Sequence, residues 1–180
     1  IFNGFGGGAS ALVTTAEFFS KFGTSDQTTF LVTTIILSIF IGTLTLTGSF
    51  IAFGKLQGFI SGQPIVFKGQ QALNAIIMIS LIVFAVYTIL GGANEMNTFY
   101  IVILLSALIG ITLTVPIGGA DMPVVISLLN SYSGIAASAT GFVLMNNGLI
   151  IAGALVGASG LILTNIMCKG MNRSLSNVIF

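Results

Sequence analysis

The sequence predicts an all-α protein, a polytopic transmembrane helix bundle of about six spans. Of its 180 residues, 55% are hydrophobic and only 5% are charged, and the mean hydropathy is +1.11. A soluble domain carries roughly 25% charged residues, so nine charged side chains cannot cover a water-facing surface. The apolar runs IIMISLIVFAVYTIL and FYIVILLSALIGITL lack the period-2 alternation of a membrane β-strand, which favours helices over a barrel.

Six segments approach the ~20 apolar residues that a bilayer-spanning helix needs. Polar or glycine-containing breaks separate them, for example from Gly118 to Asp121 and at Asn146 and Asn147. The chain starts at Ile1 inside an apolar run, so we interpret it as a fragment of a larger membrane domain. The predicted helices cover residues 1–19, 29–53, 73–90, 98–117, 122–145 and 148–168.

The basic residues predict the orientation of these spans. The loop between the second and third spans contains Lys55 and Lys68, and the segment after the sixth span contains Lys169 and Arg173. On the other side of the membrane the single basic residue is Lys21, between the first and second spans. Positively charged loops face the cytoplasm. We therefore expect the C-terminus and Asp121 to lie on the cytoplasmic side, or on the matrix side of a mitochondrial inner membrane.

Composition also excludes several kinds of site. A net charge of +1 with scattered basic residues provides no patch for nucleic acid. The lone Cys168 cannot form an intramolecular disulfide, and the absence of His argues against a zinc site of the usual type. We expect this chain to bind no cofactor or metal by itself.

Polar and small residues follow one face of several spans. Polar side chains inside a membrane span are costly, so they indicate either interhelical hydrogen bonds or a hydrated path. Asn130 is the strongest of these, and spacing alone leaves both interpretations open. The fifth span carries Pro123, Ser127, Asn130, Gly134, Ser138 and Gly141; the second carries Thr34, Ser38, Gly42, Thr45 and Ser49; the fourth carries Ser106, Gly110 and Thr114.

Two further features concern the ends and the packing of spans. Gly153, Gly157 and Gly160 form a small-residue pattern that allows close approach of two helices. Asp121 precedes Met122 and Pro123 at the start of the fifth span, where a carboxylate can cap free N–H groups or act as an ionisable group at the mouth of the polar face. Arg173 follows the sixth span, as an interfacial anchor does.

Four segments together resemble one known family. They are GSFIAFGKLQG (48–58), IGGADMPVVISLLNSYSG (117–134), GALVGASG (153–160) and IMCKGMNRSLSNVI (166–179). This combination resembles the proton-translocating NAD(P) transhydrogenases, in the membrane domain of the β subunit or the C-terminal membrane half of single-chain forms.

The resemblance implies a proton channel over residues 1–180 in a bacterial or mitochondrial inner membrane. It implies partner helices from an α subunit or an N-terminal membrane segment, and a dimer of the complete enzyme. Soluble domains that bind NAD(H) and NADP(H) would transfer hydride from NADH to NADP⁺. The NADP(H) domain would follow residue 180. Nothing in the chain itself is expected to bind a nicotinamide.

The resemblance also implies roles for particular residues. Asp121 and Arg173 match residues that couple the membrane to the NADP(H) domain, and Asn130 matches the polar residue of the channel helix. Many family members carry a His near the position of Asn3. His can take up a proton near neutral pH, whereas Asn cannot. Water chains, or an ionisable group outside the chain, would then carry the proton. The expected proton path comprises Asn3, Thr45, Ser127, Asn130 and Ser131; the expected packing residues are Gly134, Gly153, Gly157 and Gly160.

Two alternatives belong to other classes. A secondary transporter or channel subunit would show repeated halves and broken helices at mid-membrane, and we find no convincing repeat. A purely structural membrane anchor is disfavoured by the polar stripes.

Overall fold

The computed structural model describes residues 1–24, 28–91 and 95–179. The described part is built from helices, which confirms the predicted all-α fold class. The break predicted around Asp26 lies partly outside the described residues. In chain order the helices are α1 (Phe2–Lys21), α2 (Thr29–Leu56), α3 (Gln70–Ile89), α4 (Glu95–Thr114), a 3₁₀ turn (Gly119–Asp121), α5 (Met122–Val143), α6 (Asn147–Gly170) and α7 (Leu175–Ile179).

Five of the described helices, α2 to α6, are long and apolar enough to cross a membrane. The expected count of about six spans included α1, which has 20 residues and packs against α2 and α5. Asn3, Glu17 and a run of glycines make α1 less apolar than the others. Among the described helices five are therefore strongly apolar spans, and α1 is a more polar helix packed beside them.

The helix ends shift from the predicted positions for local reasons. α4 ends at Thr114 rather than at residue 117, because the residue before Pro116 is disfavoured in a helical conformation. α2 continues to Leu56 instead of stopping at residue 53. At their starts, α2 and α6 are capped by Thr28 and Asn146, whose side chains accept hydrogen bonds from Leu31 N–H at 3.2 Å and Leu149 N–H at 3.1 Å.

α2 and α5 form the centre of the bundle. α2 contacts α1, α4 and α5, whereas α6 packs along α5 and α3 packs mainly against α4. Two apolar clusters fill the interior. The cluster near Lys21 contains Phe18, Ile35, Ile39, Phe99, Val102 and Val143. The cluster at the opposite end contains Leu44, Ile109, Ile117, Met122, Val124, Leu129, Cys168 and Val178.

Glycines allow the backbones of α1 and α2 to touch. A Cβ atom added to Gly7 would lie 2.7 Å from the carbonyl oxygen of Gly42, and one added to Gly42 would lie 2.5 Å from that of Gly7. Both distances are too short for any larger residue. The glycine content that lowers the apolar character of α1 therefore also fixes its position against α2.

The outer faces of α3 and α6 are apolar and exposed. Ile76, Ile79 and Val83 lie on α3, and Leu155 and Ile162 lie on α6. Such surfaces are stable in a bilayer or against further apolar helices, and not in water.

Candidate proton path and coupling pair

A polar contact joins α1 to α5 at the end of the bundle that holds Asp121. The Asn3 side chain is half-buried, and its Nδ2 donates a hydrogen bond to the carbonyl oxygen of Ile126 at 3.2 Å. Asn3 and Ile126 also line a cavity of about 70 Å³, together with Ser49 and apolar side chains of α2 and α5. A cavity with room for water and several polar partners suits a short chain of water molecules.

Ser49 is the most informative residue of this cavity. It is 4% exposed, and its Oγ finds no hydrogen-bond partner among the described residues. A buried hydroxyl without a partner loses free energy unless water reaches it. Ser49 was visible in the sequence only as one member of the α2 stripe, because an unpaired hydroxyl has no sequence signature.

Asn130 is half-buried on the same side of α5. Ile126, one turn before it, accepts the hydrogen bond from Asn3, and the Ser133 side chain, almost one turn after it, lies closest to a Cβ built on Gly6 of α1. Residues three and four apart share a helix face. Asn130 therefore lies on the face of α5 that is directed towards α1.

Thr45 lies in the contact between α1 and α2, one turn of α2 before Ser49. It is fully buried, packs against Gly7 of α1, and donates its hydroxyl to the carbonyl of Ile41 in its own helix at 2.6 Å. That hydrogen bond satisfies the hydroxyl locally.

Ser127 and Ser131 lie on another side of α5 and face α6. Ser127 Oγ donates to the Gly160 carbonyl at 3.2 Å, and Ser131 Oγ donates to the Gly157 carbonyl at 2.5 Å. Ser138 continues the series with a hydrogen bond to the Ile150 carbonyl at 3.1 Å. Both predicted path residues thus serve as interhelical donors, and the structure does not bring them to the Asn3 cavity.

The four predicted packing glycines meet along this α5–α6 seam. A Cβ added to Gly134 would lie 2.5 Å from the backbone nitrogen of Gly157, and one added to Gly153 would lie 2.4 Å from that of Ser138. A Cβ on Gly160 would come within 2.8 Å of the Ser131 backbone. The two helices are therefore in backbone contact over about two turns.

Asp121 and Arg173 form an ion pair at the end of the bundle. Arg173 Nη1 donates to both carboxylate oxygens of Asp121, at 2.7 and 2.6 Å. Asp121 occupies the N-cap position of α5, but its side chain makes no capping hydrogen bond and pairs with Arg173 instead. The pair joins the start of α5 to the segment after α6, so that described segment lies at the Asp121 end of the bundle.

Lys55 is a buried charged residue whose sequence position predicted only the orientation of the spans. Lys55, in the last turn of α2, is 5% exposed, and its ammonium contacts backbone carbonyls of the α2–α3 loop and of the segment after α4. A lysine that ends an apolar helix normally extends to the membrane surface, so nothing in the sequence indicated its burial.

These features define a class: a polytopic helical membrane protein with a polar cavity between helices and an ion pair at one end. The comparisons with known proteins name the family. The family model described as "NAD(P) transhydrogenase beta subunit" matches residues 1–180. The "NAD(P) transhydrogenase subunit beta" of Rhodospirillum rubrum is 51% identical over 144 residues, which are 79% of this chain and 30% of that protein.

A second protein of the same name, from a designated strain of that organism, has the same identity and coverage. The chain belongs to the NAD(P) transhydrogenase beta subunit family. It spans about a third of the length of the curated relatives it matches. The predicted family resemblance is confirmed, and with it the assignment to a membrane component of a transhydrogenase.

Proposed function

We propose that this chain is the proton-translocating part of a transhydrogenase, coupling proton movement across the membrane to hydride transfer from NADH to NADP⁺ in attached soluble domains. NAD(H) and NADP(H) bind in those domains, and the NADP(H) domain follows residue 180. Helices of an α subunit or of an N-terminal membrane segment complete the channel, and the whole enzyme is a dimer. The C-terminus faces the cytoplasm or the matrix.

One observation supports this function most directly: α5 carries both the polar cavity and the ion pair. Ile126 of α5 accepts the hydrogen bond from Asn3 beside the cavity, and Asp121, which directly precedes α5, pairs with Arg173. The two positions are five residues apart, about 7.5 Å along a helix axis. A change of hydration or charge at the cavity therefore acts close to the ion pair.

The chemistry of the cavity suits proton relay through water. A carboxamide donates and accepts hydrogen bonds but does not ionise, and a serine hydroxyl does both with a freely rotating hydrogen. Asn3 and the unpaired Ser49 hydroxyl border the cavity and can orient water molecules there, and Asn130 lies one turn beyond Ile126 on α5. The exchanging proton then resides on water, or on an ionisable group of a partner helix.

The ion pair suits coupling because it can be broken cheaply. Arg173 is 45% exposed, so solvent weakens its attraction to Asp121, although the Asp121 side chain itself is 13% exposed. An ion pair that solvent reaches from one side contributes about 1 kcal/mol to stability. A docked NADP(H) domain that competes for either charge can therefore separate them.

The function is tested by reconstituting the complete enzyme in vesicles and measuring proton uptake during hydride transfer. Asn3→Leu removes the polar group beside the cavity, and we expect it to abolish most proton uptake. Asn165→Leu is the matched control, since Asn165 is exposed on the outer face of α6. Equal proton uptake in the two variants would show that the Asn3 cavity is not part of the path.

A further inference from the structure

Lys55 places a buried charge where three backbone segments meet. Its ammonium donates hydrogen bonds to the carbonyl oxygens of Ile117 at 2.9 Å, Gln63 at 3.3 Å, and Val115. An ammonium has three donor hydrogens, so three converging carbonyls satisfy it completely. The side chain therefore ties the end of α2 to the loop after it and to the segment after α4.

The carbonyls are the partners of this charge. Among the described side chains the ion pairs are Lys21 with Glu17 and Arg173 with Asp121, so Lys55 has no carboxylate partner there. α4 ends at Thr114, and carbonyls at the end of a helix lack intrahelical donors and carry the negative end of the helix dipole. Lys55 thus binds two carbonyls just beyond the end of α4, close to the negative end of that helix dipole.

The segment after α4 that Lys55 contacts leads directly to Asp121. Ile117, whose carbonyl Lys55 holds, lies four residues before Asp121. The N–H of Gly119 then donates to the Gly62 carbonyl at 2.8 Å, and the N–H of Asp121 donates to the Gly118 carbonyl at 3.0 Å. The connection between α4 and α5 is therefore held by α2 and by the α2–α3 loop before it reaches the ion pair.

We propose that Lys55 is the positioning residue through which movement of α2 reaches the Asp121–Arg173 pair, an inference that rests on the coupling function proposed above. Ser49 and Lys55 lie six residues apart on α2, about 9 Å along its axis. Ser49 borders the Asn3 cavity, and Lys55 holds the connection that carries Asp121. A shift of α2 at the cavity therefore displaces the Asp121 carboxylate.

The test uses the complete enzyme in vesicles and two measurements. The first is the factor by which an imposed proton gradient stimulates hydride transfer. The second is the dipolar broadening between two spin labels, which reports their distance. The labels are attached to cysteines introduced at Ala120 and Met171, two exposed residues on either side of the ion pair, after the other cysteines have been removed. Lys55→Met removes the ammonium, and Lys68→Met is the matched control, because Lys68 is an exposed residue of the same loop region.

We expect Lys55→Met to lower the gradient stimulation at least threefold and to reduce the broadening, while Lys68→Met changes neither. Wild-type values of either quantity in Lys55→Met would overturn the proposal. If Lys55→Met does not assemble, Lys55→Gln, which keeps two N–H donors without charge, is judged by the same criteria. Asp121→Asn, measured in parallel, separates the two proposals: undiminished stimulation in that variant would refute the coupling function itself.

Discussion

Replacing Gly153 with alanine tests the contact between α5 and α6 most sharply. The new Cβ atom would lie 2.4 Å from the Ser138 nitrogen and 2.7 Å from the Gly134 carbonyl oxygen. Both atoms belong to backbone, which cannot rotate away. Since ordinary contact begins near 3.4 Å, the two helices must separate by about 1 Å at this point.

This separation has a second effect on the hydrogen bonds across the seam. The nearest hydrogen bond across the seam runs from Ser138 Oγ to the Ile150 carbonyl at 3.1 Å. An added ~1 Å takes it beyond hydrogen-bond range. Overpacking of a well-packed interior costs about 1–3 kcal/mol, so we expect the free energy of unfolding to fall by that amount.

The assay is reversible unfolding in mixed detergent micelles, and the matched control is Gly170→Ala on the same helix. A Cβ atom added to Gly170 meets nothing within 4 Å, so we expect stability to stay the same or rise slightly. If Gly153→Ala proves as stable as Gly170→Ala, the backbone contact between α5 and α6 is not as close as described, and the reasoning fails.

Three further predictions concern single polar groups. Asp121→Asn should leave assembly nearly normal, because an ion pair open to solvent on the Arg173 side contributes about 1 kcal/mol, while gradient-stimulated hydride transfer falls. Failure of this variant to assemble would give Asp121 a larger structural role. The Ser38 hydroxyl is hydrogen-bonded to that of Thr140 at 2.8 Å inside the α2–α5 contact, so Ser38→Ala should lower the free energy of unfolding by about 0.6–1.7 kcal/mol. Ser159→Ala, on the exposed face of α6, should not lower it. Equal free energies of unfolding in the two variants would contradict a stabilising role for Ser38. Ser49→Ala removes an unpaired hydroxyl, so stability should hold while proton uptake declines; a loss of stability would mean that Oγ has a partner.

The sequence by itself determined the class of protein, and its apolar runs approximate the helices of the structure apart from their ends. Lipid requires long apolar segments with satisfied backbones, so composition and run length identify the spans directly. The level of Asp121 and Arg173 also followed from the sequence, because both are charged residues that adjoin spans. The family followed from the four quoted segments, which include these two residues and the glycines of α6.

Only the tertiary structure decided which polar side chain faces which helix. A helix that is apolar on most sides has little amphipathic pattern, and its hydroxyls can bond to their own backbone, so spacing does not reveal their partners. Ser127 and Ser131 therefore looked like path residues, yet they face α6, whereas Ser49 shares the Asn3 cavity. The burial of Lys55 depends on three carbonyls brought together by α2, its loop and the end of α4, and such a meeting of distant segments exists only in the folded chain.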